Sequence, residues 1–295
     1  MEGKVVLKTR TTKKKSNSGT SKVGFYFGRA LLYIGLTILA VACFVPFYIM
    51  MINATHTNVD ISSKILFMPG SNLYANYMRL RATQDVWRGF ANSLIISASV
   101  TVISGYFSAL VAYGFSKFKF RGNGFMFWIV LGSMMIPTQL GIIGVFQLCK
   151  ALHILDSYWP LILPSIANAT SVFFIKGYTD GAISDSLIEA ARIDGCSEIR
   201  IFNKIVLPLV MPSIATMSIF TFINSWNNFL MPMVLLFDPT KFTLPIMVVS
   251  ARGVYQNEYG AVFAGVAISI VPIMIAFAFL SKKIVGGLTI GGVKG

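Results

Sequence analysis

The sequence predicts an all-α integral membrane protein with six transmembrane helices, and three observations carry that expectation. First, of its 295 residues 55% are hydrophobic and 12% charged, with a mean hydropathy of +0.70, whereas a soluble domain carries about 25% charged residues. Second, the charges divide the chain into windows free of Lys, Arg, Asp and Glu at 30–59, 89–116, 122–149, 157–175, 205–237 and 259–281. Each can hold the roughly 20 apolar residues that cross a 30 Å hydrocarbon core. Third, 18 of the 25 basic residues fall on the side of the N-terminal tail when the six windows are threaded in turn. The excess of Lys and Arg in cytoplasmic loops then places both termini in the cytoplasm. This composition excludes a disordered chain, which is poor in apolar residues, and a large soluble enzyme, which needs more polar surface.

Taken in order, residues 1–24 form a basic Ser/Thr/Gly-rich tail, expected to be disordered, and 25–295 are expected to form the six-span membrane domain with its core at about 85–285. The formal charge of +14 is concentrated in that tail and in short interspan loops, a membrane-flanking distribution that argues against nucleic acid as a partner. The helices are expected near 25–51, 91–116, 124–148, 157–177, 211–236 and 261–281. The stretch Leu39 to Cys43 resembles a lipoprotein cleavage site, but the apolar run continues past Cys43, as in an uncleaved first span. Prolines 46, 137, 160, 164 and 272 fall inside the windows, and the pair Pro160 and Pro164 is expected to mark a broken helix.

Apart from His56 at its outer end, the windows contain no ionisable relay. Cys43, Cys149 and Cys196 form no pair, and His56 and His153 stand apart, so no metal site or disulfide framework is predicted. Neutral polar groups are instead frequent, among them Asn92, Ser93, Ser97, Ser104, Ser108, Gln139, Asn168 and Ser171. Small hydroxyls in spans serve helix packing. Amides are costlier in hydrocarbon, so Gln139, Asn224, Asn227 and Asn228 are the candidate pathway residues, with Trp226 as a stacking face. Amide and aromatic groups suit an uncharged polyhydroxylated solute.

The longest polar stretch between windows, 178–208, carries the most information. Ser186-x-x-Glu189 reads as a capping box, with Leu187, Ile188, Ala190 and Ala191 on a small apolar side and Gly195 as a left-handed stop. A second segment, 197–206, places Ile199, Phe202 and Ile205 as an apolar stripe. Pro208 and Pro212 then open the fifth span. The loop helix is acidic, so anionic lipid would repel it, and its small residues suit a groove on a protein.

Glu189-Ala190-Ala191, three residues, Gly195, nine residues, Ile205, one residue, Leu207-Pro208 matches the EAA pattern of binding-protein-dependent ABC importer permeases. Ala91-Asn92-Ser93-Leu94, Ala112-Tyr113-Gly114-Phe115, Phe120-Arg121-Gly122, Met135-Ile136-Pro137, Trp226-Asn227-Asn228-Phe229 with Pro232, and Gly286 to Gly295 narrow the resemblance to the smaller, six-span permease subunit of the maltose-type sugar importers. The segment Asn53–Lys64 departs from that family's pattern.

The resemblance implies the type I ABC importer permease fold with a cytoplasmic coupling helix, and uptake of a carbohydrate, an oligosaccharide by preference. It implies a second homologous permease, two ABC ATPase subunits and an extracytoplasmic solute-binding protein as partners, in the cytoplasmic membrane of a prokaryote. Coupling falls to Glu189 and Gly195, with Ala190, Ala191 and Asp194 as the contact face and Leu207-Pro208 closing the motif. The chain carries no Gly-x4-Gly-Lys-Ser/Thr phosphate loop, so it is expected to be no enzyme and to bind no cofactor, ATP and Mg being used by the partner ATPases. The competing readings are an ABC permease for another neutral solute, a polyol or glycerol phosphodiester, and an ion-coupled secondary transporter.

Overall fold

A computed structural model describes residues 22–251 and 258–292; the basic tail up to residue 21 lies outside them. Among the described residues every regular element is helical. In chain order these are α1 (Lys22–Asn53), α2 (Asn58–Ser63), α3 (Leu73–Thr83), α4 (Val86–Lys117), α5 (Asn123–Ser133), α6 (Ile142–Ala151), α7 (Trp159–Ile162), α8 (Ala169–Ala182), α9 (Asp185–Ile193), α10 (Glu198–Ile201), α11 (Leu207–Trp226), α12 (Leu230–Leu235), α13 (Leu244–Ser250) and α14 (Tyr259–Gly292).

The chain divides into two compact units, Met1–Ile49 and Met50–Gly295. The first is the body of α1, a continuous apolar rod with Pro46 in its last turns. The Thr37 hydroxyl returns a hydrogen bond to the Tyr33 carbonyl, satisfying its own polar group within the helix as an apolar surrounding requires.

In the second unit α4 is the axis. Its buried residues include Gly89, Ser93, Ser97, Ser104, Gly105, Ser108, Ala109 and Ala112, small side chains that let neighbouring backbones come close. A Cβ on Gly105 would stand 3.0 Å from Ile214 Cγ2 of α11, which fixes the depth of that approach. Ala109, Ala112 and Tyr113 of α4, Ile175 of α8, Ile188 and Ala191 of α9, and Ile201, Phe202, Val206, Val210 and Ile214 form one continuous core. A second core joins Leu80, Val86, Trp226, Leu244, Val248 and Ala261.

The expected spans are met unevenly. Phe25–Asn53, Val86–Lys117 and Glu198–Trp226 are long and apolar enough to cross a membrane. The window at 124–148 is not one rod: α5 and the stretch Thr138–Ala151 meet at a bend of 89°. Pro137 sits at that corner, between Met134 and the 3-10 turn Thr138–Gly141, where it has no N–H to continue the ladder. The window at 157–177 is broken as its proline pair predicts, into α7, a 3-10 turn Leu163–Ala167, and α8, whose N-cap Asn168 accepts from the Ser171 N–H. The expected fifth span starts earlier than 211. The helix is continuous from Glu198 through a π segment, Phe202–Val206, and Pro208 lies in the first turn of α11 with Pro212 inside it. It then stops at Trp226, short of 236.

Candidate functional site

The loop helix α9 is present, but its start differs from the expected capping box. Ser184, not Ser186, is the N-cap: its hydroxyl accepts from the Leu187 N–H at 3.4 Å, and Asp185 occupies the first turn. Ser184 followed by an acidic residue was the available signal, since a hydroxyl cap and a negative charge both satisfy the exposed N–H groups of a first turn. The stop is as expected. Gly195 has φ +74°, its N–H bonds the Arg192 carbonyl, and the Cys196 N–H bonds the Ala191 carbonyl, both at 3.0 Å. These paired bonds form a Schellman turn, and a Cβ at the left-handed position costs roughly 1–2 kcal/mol.

The helix has two faces. Ile188 and Ala191 are sunk into the core that the spans share, and Ala191 is only 6% exposed. It therefore does not belong to the contact face, a correction to the sequence reading; a three-residue step separates it from the inward Ile188, so both fall on one side. The outward face is Ser186, Glu189, Ala190 and Ile193, with Asp194 and Gly195 beyond it, all exposed. Ile193 is 87% exposed and Ile199 74% exposed. Of the expected apolar stripe, Phe202 is buried and Ile205 half-buried against the core, whereas Ile199 faces outward, and Ile201 and Val206 complete the inward face. Leu207 is half-buried against the core and Pro208 is exposed.

Polar contacts fix α9 at both ends. Lys117 Nζ, at the end of α4, donates to the Ile183 carbonyl at 2.6 Å and to Asp185 Oδ1 at 2.8 Å. That hydrogen bond and charge hold the Asp185 carboxyl below its ordinary range. At the other end Arg192 Nε donates to Glu198 Oε1 at 2.7 Å, while the Tyr113 hydroxyl donates to Glu198 Oε2 at 2.9 Å. The hydrogen bond it gives to Glu198 raises the Arg192 guanidinium above its usual value, and the Arg192 Cζ lies over the Phe118 ring at 5.5 Å. Sequence reasoning missed Tyr113 and Lys117, because partners 66 to 85 residues away leave no local pattern.

The candidate pathway residues are spread over separate places. Gln139 lies exposed in the 3-10 turn beside the Pro137 corner, where its Oε1 accepts from the neighbouring Thr138 hydroxyl. Asn224 and Asn227 are exposed at the end of α11, and Asn228 turns back to accept from the Met231 N–H at the start of α12. Trp226 is not a stacking face for solute. It is 1% exposed, its indole N–H donates to the Ser269 carbonyl at 3.0 Å, and its ring packs on Phe90 and Phe222. Asn92 likewise is structural, donating to the carbonyls of Thr240 and Phe242.

A further cluster ties the chain segments after α6 and α12. Asp156 Oδ1 accepts from the Phe237 and Asp238 N–H groups, and Lys241 Nζ donates to the Asp156 carbonyl and Oδ2. The Lys241 hydrogen bond and the two backbone donors pull the Asp156 carboxyl down to about 2.

Comparisons with known proteins agree with this architecture. Residues 101–282 match the model of the binding-protein-dependent transport system inner membrane component. The chain is similar to the arabinooligosaccharides transport system permease protein of Halalkalibacterium halodurans, at 37% identity over 90% of this chain and 96% of the relative. The protein of that name in Bacillus subtilis is 38% identical, over 81% of this chain and 83% of its own length. The polygalacturonan/rhamnogalacturonan transport system permease protein of Bacillus subtilis is 30% identical over 90% and 97%. Among solved structures, a bacterial ABC transporter involved in the import of the acidic polysaccharide alginate superposes with a TM-score of 0.74 at 24% identity, covering 89% of this chain and 98% of that one, a likeness of fold. With its helical membrane architecture and these matches, the chain belongs to the family of inner membrane components of binding-protein-dependent transport systems, and has the type I ABC permease fold.

Proposed function

We propose that this permease forms half of the translocation pathway of an ATP-driven importer for a carbohydrate, an oligosaccharide by preference. In this reading it crosses the cytoplasmic membrane of a prokaryote six times, with both termini in the cytoplasm. A second homologous permease, two copies of an ABC ATPase that use ATP and Mg, and an extracytoplasmic solute-binding protein complete the assembly. The neutral carbohydrate class is supported by the names of the arabinooligosaccharide relatives. It is also supported by the amides offered at Gln139, Asn224, Asn227 and Asn228, which hydrogen-bond hydroxyls without needing a counter-ion.

One observation carries the coupling role: α9 buries one face in the span core and leaves Glu189, Ala190 and Ile193 free on the other. A short helix so placed is seated on the spans and open to a groove in a partner. ATP binding draws the two ATPases together, α9 moves with them, and the spans turn from inward-open to outward-open.

The test is co-purification with the ATPase. Ala190→Arg and Ile193→Asp are expected to leave the permease in the membrane and release the ATPase; retention by both variants overturns the assignment of α9. For the solute, uptake is expected to favour arabinotriose over trigalacturonate and over amino acids. A preference for either charged class overturns the neutral-solute reading.

A further inference from the structure

The helix continuous with the loop motif is α11, and Arg192 of α9 pairs with Glu198 at its start, yet the side chains that anchor both ends of this arrangement stand on α4: Lys117 on Asp185 and Tyr113 on the same Glu198 carboxylate. Tyr113 and Lys117 are four residues apart, so they stand on one face of the last turns of α4. Lys117 holds the N-terminal end of α9 through Asp185 and the Ile183 carbonyl, and its side chain is only 7% exposed. Tyr113, 2% exposed, holds the C-terminal end through Glu198 and Arg192. The N-terminal end of α9 is thus bonded directly to α4, and its C-terminal end reaches α4 through the Glu198 carboxylate that Arg192 and Tyr113 share.

The far end of α4 is fastened in the same way. Asn92 donates to the Thr240 and Phe242 carbonyls at 2.9 Å each, and the Ser93 hydroxyl accepts from the Leu244 N–H at 2.9 Å. That segment contains Lys241, which clamps Asp156. From Asn92 to Lys117 the helix is unbroken and free of proline, a rigid length of roughly 38 Å at 1.5 Å per residue. Between its ends the small-residue face leaves α4 packed closely on α8 and α11.

We propose that α4 is the transmission element of this permease: Tyr113 and Lys117 pass the displacement of α9 into it, and Asn92 and Ser93 deliver that displacement to residues 240–244 on the opposite side. Tyr113 and Lys117 are positioning residues, acting through Glu198 and Asp185. The inference rests on the reading of α9 as the coupling helix, and it assigns to α4 the stroke that the loop sequence alone would assign to α11.

The test needs no knowledge of the solute. The complete transporter is prepared with Phe237→Cys, an exposed position beside the 240–244 segment, in a background where the native cysteines are Ser. Maleimide labelling of residue 237 is timed with and without ATP and vanadate. ATP and vanadate are expected to change the labelling rate at least fivefold in the parent. Tyr113→Phe together with Lys117→Met is expected to abolish that change, while the ATPase stays bound and basal hydrolysis stays within twofold. Lys117→Arg, which keeps charge and donors, should restore most of the response. A response undiminished in the double variant, or absent in the parent, overturns the proposal. Release of the ATPase by Tyr113→Phe alone also overturns it, by placing the hydroxyl in docking. The coupling reading fails separately, through ATPase retention in the Ala190 and Ile193 variants.

Discussion

Lys241 Nζ lies 2.8 Å from both the carbonyl oxygen and Oδ2 of Asp156, an acidic residue held at φ +54°. A non-glycine residue in the left-handed region is uncommon, and here the ammonium and two backbone N–H groups converge on it. Because Asp156 is held at about 2 in the folded protein, its carboxylate contributes stability that is fully present above the ordinary value of 3.8 and is lost as pH falls through about 2. Wild-type protein is therefore expected to melt above Asp156→Asn at about pH 6. The difference should shrink as the pH is lowered from about 4 towards 2. Thermal unfolding in detergent across that range reads it, and a constant difference would refute the clamp.

The cap of α9 separates two serines. Ser184→Ala removes the acceptor for the Leu187 N–H and is expected to cost about 1 kcal/mol. Ser186→Ala, which loses only a contact to the Ser184 hydroxyl, should change stability by a few tenths. Hydrogen exchange at the Leu187 amide is the direct measurement. Equal protection in the two variants would restore the capping-box reading.

At the other end of α9, Gly195→Ala meets no steric neighbour within 4 Å, so its effect isolates the backbone. The left-handed φ of +74° sets an expected loss of roughly 1 kcal/mol, seen as faster exchange of the Cys196 amide with the ATPase still bound. Gly195→Asp adds an acidic charge at the helix C-terminus, where the dipole is negative, and is expected to lower ATPase retention as well. Identical behaviour of the two variants would remove the charge effect.

Trp226→Phe distinguishes a packed indole from a solute platform. The change leaves the Ser269 carbonyl without its donor, and is expected to lower stability by about 1–2 kcal/mol with solute preference unchanged. Asn227→Ala, at an exposed amide, should do the opposite, altering uptake with little change in melting temperature. The order reversed in paired uptake and melting assays would return Trp226 to the pathway.

The large features of the fold could be read from charge-free windows and proline positions, because burying a charge in hydrocarbon is costly wherever it falls in sequence. The same logic located the Pro160–Pro164 break. It did not rank Pro137 as the sharper corner, since the bend depends on what packs on each limb. The loop motif placed α9 and the turn at Gly195, both governed by interactions within a few residues. The inward turn of Ala191 and the buried Trp226 depend on α4 and α14, brought near by tertiary packing alone. Apolar and small residues look alike in sequence whether they face a partner or their own core, and Ala190 and Ala191 are neighbours of identical chemistry with opposite exposures.

The right-angled corner at Pro137 bears on how the protein is made. Its two limbs, α5 and the stretch Thr138–Ala151, are each about 16–21 Å long at 1.5 Å per residue, well short of a 30 Å hydrocarbon core. The hydropathy of the pair qualifies it for insertion, yet the inserted product is a folded elbow whose Met135 and Ile136 are 85% and 65% exposed in this chain. Backbone that bends in an apolar surrounding must close its own hydrogen bonds or be covered by protein or water. Here the Met135, Ile136 and Leu140 N–H groups close onto the carbonyls of Gly132, Ser133 and Pro137, so the corner is held by bonds within its own few residues and can form during synthesis before any neighbouring helix reaches it.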